Sequence, residues 1–117
     1  MTFSSLGSLK ALEVGKVAGE IKLDGKLDEP SWEKAQPSEP FQWLEVFKKE
    51  TSPAQATFRL LRGEDAIYLG IRCEEPLMDK LSAQPLPHDG SVWERDCVEI
   101  FIDPEGKGVR YYHLMVS

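Results

Sequence analysis

Ala56-Thr57-Phe58-Arg59-Leu60, Gly63-Glu64-Asp65 and Ala66-Ile67-Tyr68-Leu69-Gly70-Ile71-Arg72-Cys73 together decide the fold class. Apolar and polar residues alternate in the first run, the period of a half-buried strand. The Gly-Glu-Asp run turns the chain. The third run then places Ile67, Leu69, Ile71 and Cys73 on one face. This pattern predicts two sequential strands joined by a tight connection.

Downstream, a polar, Pro-rich loop passes through Gln84, Pro85, Pro87, His88, Asp89 and Gly90. Cys97 to Asp103 is a further strand, and Pro104-Glu105-Gly106-Lys107-Gly108 is the turn of a hairpin. Tyr111 to Val116 is its returning strand, with Tyr111 and Tyr112 on opposite faces, one in the core and one exposed. The sequence is still strand-like at Ser117, so this strand is either a closing edge or part of a sheet incomplete at the C-terminus.

Upstream, Ile21-Lys22-Leu23 alternates into the turn Asp24-Gly25. Residues 29–36 read as a short helix, with Asp28 as N-cap and Pro30 tolerated in the first turn. Trp32 on this helix is a core anchor. Trp43, between Phe41 and Phe47, is also assigned to packing. Residues 1–17 are an N-terminal arm or edge strand, and 18–117 form the domain. Short strands with almost no helix indicate an all-β, antiparallel β-sandwich. An α/β fold would need helical crossovers, and no second amphipathic helix supplies them.

The 117 residues leave room for one domain with one modest core. No run of roughly 18 apolar residues is present to span a bilayer. The start, MTFSSLGSLKALEVGK, is not a secretory signal peptide as it stands. A net charge of -6, with Lys48-Lys49 the only adjacent basic pair, excludes nucleic acid as a natural partner. A neutral ligand or a metal ion suits such a chain better. Cys73 and Cys97 are too few for a disulfide scaffold and lack zinc-ribbon spacing. They read as two buried, inert thiols, or as one bridge in an oxidising compartment.

The densest chemistry lies in Gly90 to Asp103, where a loop delivers Trp93 just before a strand. That strand points Val98, Ile100 and Ile102 to one face and Cys97, Glu99 and Phe101 to the other. If the aliphatic face is core, Glu99 projects outward near the end that carries Trp93. Sugars are recognised by this combination: the C–H face of a pyranose packs on an aromatic ring, while carboxylate and guanidinium groups bond its hydroxyls. Trp93, Glu99 and Arg95 are therefore the candidate ligand-binding residues. Glu94, Asp96, Glu99 and Asp103 supply carboxylates of the type a glycosidase needs, but their separation decides that role. Asp96 is also a natural strand-start residue that bonds backbone N–H groups.

Three blocks, Ile21 to Trp32, Ala66 to Ile71 and Val92 to Asp103, resemble family 9 carbohydrate-binding modules in order and spacing. The resemblance covers roughly residues 18–117 and implies a jelly-roll-like sandwich attached to a secreted catalytic or surface-anchoring domain. It implies non-catalytic docking of a polysaccharide or its chain end, of the cellulose or xylan type. In such modules two tryptophans clamp the terminal sugar. Trp93 matches the first and Glu99 a sugar-bonding glutamate; the second tryptophan belongs to a C-terminal half that this chain does not contain. A secreted, periplasmic or cell-surface location follows from the same likeness. No cofactor is required, but family members can carry structural calcium, for which Asp89, Asp96 and Asp103 are candidate oxygen ligands. Two alternatives stand beside this reading. One is a structural or protein-interaction sandwich of a larger surface protein. The other is a haem-binding domain of the related DOMON-like type, with Met78, Met115, His88 and His113 as ligands by type.

Overall fold

The computed structural model describes residues 11–41, 55–82 and 84–117. Trp43 and Phe47 lie outside the described residues. The fold is all-β, with two sheets and one short α-helix. The described chain divides between Pro76 and Leu77 into two compact units.

In the first unit, β1 (Gly15–Lys16), β2 (Gln55–Arg62) and β3 (Ile67–Glu74) form a sheet in that order. β2 and β3 are antiparallel, with Leu61 opposite Tyr68 and Arg59 opposite Gly70. Their connection closes on a bond from the Gly63 N–H to the Ala66 carbonyl, 2.8 Å. β1 pairs with the end of β2 in parallel, so the sheet is not wholly antiparallel. Ile21–Leu23 joins no ladder among the described residues, and Leu23 is exposed.

Helix α1 spans Pro30–Lys34, and its N-cap is Glu29 rather than Asp28. Pro30 sets this position. A proline drives the residue before it into the extended region, which is the conformation an N-cap needs. Glu29 supplies no side-chain cap. Its Oε1 instead accepts from the Lys22 N–H at 2.8 Å.

The buried core of the described chain is Trp32, Ala35 and Leu61, with Val17, Ile21, Leu27 and Tyr68 packed around it. Leu61, Tyr68 and Gly70 share the sheet face under the helix, because cross-strand partners point to the same side. Gly70 is the socket for Trp32: a Cβ there would stand 2.9 Å from the indole Cζ3 and from Leu27 Cδ2. Buried Ser31 ties the helix to the chain before it, accepting from the Ala18 N–H at 2.9 Å and donating to the Ala18 carbonyl at 3.1 Å. The described core therefore lies on the side of β3 opposite its continuous apolar row. Ile67, Leu69, Ile71 and Cys73 do share a side, but Ile67 and Cys73 are exposed and Leu69 and Ile71 only half-buried.

The second unit centres on the antiparallel hairpin β4 (Val98–Ile102) and β5 (Tyr112–Val116), preceded by 3-10 turns at Met78–Lys80 and Val92–Glu94. Its turn is organised by Asp103, whose carboxylate accepts from the N–H groups of Glu105 (3.0 Å), Gly106 (2.9 Å) and Gly108 (2.6 Å). Gly106 (φ 63°) and Gly108 (φ 68°) supply the left-handed residues this wrap requires. Tyr111 and Tyr112 are both exposed, at 62% and 67%, so neither fills a core. Among the described residues of this unit none is fully buried, so alternation alone did not sort the two rings. Both cysteines are free, with Cys73 exposed and Cys97 partly so, rather than buried thiols.

Candidate functional site

The 3-10 turn Val92–Glu94 carries Trp93, held by bonds from Glu94 N to Ser91 O (3.3 Å) and from Arg95 N to Val92 O (3.1 Å). The indole is 59% exposed. The loop that delivers it is closed at its base by a reciprocal pair. The Asp96 N–H donates to the Ser82 carbonyl at 3.2 Å, and the Ser82 N–H donates to Asp96 Oδ2 at 2.7 Å. Asp96 thus bonds a backbone N–H as its residue type suggested, but one fourteen positions back in the chain.

Period two on β4 places Glu99 and Phe101 opposite Val98, Ile100 and Ile102. Glu99 stands across from Met115, and His113 is the diagonal neighbour on the same face. Their side chains meet, with Glu99 Oε2 2.8 Å from His113 Nε2. Both remain accessible, with side-chain exposures of 32% for His113 and 44% for Glu99. The imidazole stacks on Phe101 with centroids 4.2 Å apart and planes at 14°. Phe101 in turn meets the edge of Tyr111 at 5.6 Å. The hairpin therefore presents one face of mixed rings and a carboxylate, all accessible to solvent.

Arg95 reaches Gln84 through Nη1 at 3.5 Å, a long bond that leaves most of its guanidinium donors for other acceptors. The three aspartates proposed for calcium are held apart. Asp96 is engaged with Ser82, and Asp103 with its own turn. Asp89, in the left-handed region at φ 59°, sits 3.2 Å from His88. The Gly108 N–H foremost, joined by those of Glu105, Gly106 and Lys107, holds the Asp103 carboxyl below its ordinary value against an opposing desolvation. Among the described residues, no cluster of three or more His, Cys, Asp or Glu side chains is arranged to hold a metal ion. As a set, the three aspartates do not fit a calcium site. Among the described residues no helix is long and apolar enough to cross a membrane.

Sequence reasoning singled out Trp93, Glu99 and Arg95, and the second unit carries all three on one short stretch. It missed the part played by His113, considered there only as a haem ligand by type. The signal was present in the hairpin register, which makes His113 diagonal to Glu99 once the turn length is known.

The family described as "Carbohydrate family 9 binding domain-like" matches residues 23–116. No curated protein and no solved structure matches the chain.

Proposed function

From the chain's membership of the carbohydrate family 9 binding domain-like family, we propose that it docks a polysaccharide or its chain end without catalysing a reaction on it. Family membership points to carbohydrate as the ligand class. The finer reading is ours: a cellulose- or xylan-type sugar, with Trp93 as the platform under the pyranose ring. Glu99 accepts from its hydroxyls and Arg95 donates to its oxygens. The observation that carries the reading is an indole 59% exposed, on a pinned turn that leads directly into the strand presenting the half-exposed Glu99 carboxylate.

An aromatic ring left in water is a standing cost unless something packs on it, and a sugar's C–H face is a suitable partner. The same ligand needs polar groups at its rim, which Glu99 and Arg95 provide. Joined to a catalytic or surface-anchoring domain outside the cell, such a module would raise the local concentration of its substrate by tethering. Isothermal calorimetry with glucose, cellobiose, xylobiose and their reduced derivatives tests this. Heat with the sugars, weakened by reduction of the terminal unit, is the expected result. No heat with any of them refutes it, and release of reducing sugar from soluble xylan or glucan would refute the non-catalytic part.

A further inference from the structure

We propose that His113 is a positioning residue for the sugar-binding carboxylate: its imidazole holds Oε2 of Glu99 so that Oε1 is presented to a ligand hydroxyl. The inference rests on the sugar-binding reading above. A carboxylate offers only acceptors, so the 2.8 Å contact requires the hydrogen on His113 Nε2. That assigns the tautomer of the neutral ring and leaves Nδ1 as an acceptor.

The imidazole is itself fixed from behind. It lies nearly parallel to Phe101, at 14° and 4.2 Å, and Phe101 is braced by the edge of Tyr111 at 5.6 Å. Support thus runs from Tyr111 through Phe101 and His113 to Glu99, crossing between the two strands. Phe101 is more exposed than a core ring, at 59%, yet one of its faces is taken by the imidazole. It serves as a backing for His113 rather than as a second sugar platform. A free glutamate on an open strand face samples several rotamers, and binding must freeze them. Holding one oxygen beforehand removes that cost.

Two substitutions separate the bond from the stack. His113→Phe keeps a ring on Phe101 and loses the donor to Glu99. His113→Gln keeps an N–H donor and loses the stack. In calorimetric titrations with cellobiose and xylobiose, His113→Phe should bind about three- to ten-fold more weakly at unchanged Tm, the cost of one unfrozen side chain. His113→Gln should recover most of the affinity even if its Tm falls. Nitrogen NMR of the wild-type ring should show the hydrogen on Nε2. Wild-type affinity in a folded His113→Phe protein overturns the proposal alone, as does a wild-type ring with its hydrogen on Nδ1. A wild-type protein that binds neither disaccharide overturns the sugar reading and this proposal with it.

Discussion

Replacing Trp93 or Trp32 by alanine removes the same indole from two very different settings. Trp32 is 4% exposed, sits over Gly70 and forms the core with Ala35 and Leu61. Deleting such a ring typically costs about 3–5 kcal/mol. Trp93 is 59% exposed, so 41% of it is covered against 96% of Trp32. Scaling by those fractions gives about 1–2 kcal/mol for Trp93→Ala, and the lower end applies because water fills the space a core cavity would leave empty. At about 4 °C per kcal/mol for a domain of this size, the Tm should fall by about 4 °C for Trp93→Ala and at least about 12 °C for Trp32→Ala. Sugar affinity should behave in the opposite way. An aromatic anchor contributes at least about 2 kcal/mol, so folded Trp93→Ala should lose about thirty-fold or more. Thermal unfolding by circular dichroism, paired with calorimetry below the transition, reads both quantities. If Trp93→Ala unfolds as readily as Trp32→Ala, the ring belongs to the packing and the platform assignment fails. If it stays folded and binds sugar as before, the platform lies elsewhere.

Gly70→Ala should destabilise the chain by about 1–3 kcal/mol, because its Cβ would press on Trp32 and Leu27; chemical denaturation measures it. Ser31→Ala should cost about 1–3 kcal/mol by leaving the Ala18 N–H unpaired beside the helix, read by the same assay. Asp103 gives a pH signature. Its carboxyl is held lower in the folded chain than in the unfolded one, so its contribution is present above the ordinary carboxylate value. That contribution is lost as the pH falls through the depressed folded value. Asp103→Asn should therefore flatten the acid side of a Tm-against-pH curve; an unchanged slope would discount the turn's role.

The strands were legible because their residues alternate. Ala56 to Leu60, Ala66 to Cys73 and Cys97 to Asp103 all became strands within a residue or two of their expected ends. Glu99 likewise fell on the side opposite Val98, Ile100 and Ile102. Alternation names two faces but does not say which one is covered. That choice is made by Trp32 seated over Gly70, a contact between residues 38 positions apart that no local pattern announces. Tyr111 and Tyr112 failed for the same reason. Glu29 displaced Asp28 as N-cap because Pro30 dictates the residue before it, a local rule that could have been applied. The bond between Glu99 and His113 needs the hairpin register, which depends on how many residues Asp103 wraps into its turn.

The reciprocal bonds between Ser82 and Asp96 make the Trp93 loop a cassette with a locked base. Its ends are fixed to each other, so lengthening the stretch before Trp93 alters chiefly the entropy of the closed segment. Doubling its length would cost only about 0.6 kcal/mol. If Trp93 is the platform proposed above, changes of ligand preference should be reachable by exchanging the stretch between the two tied residues, Ser82 and Asp96.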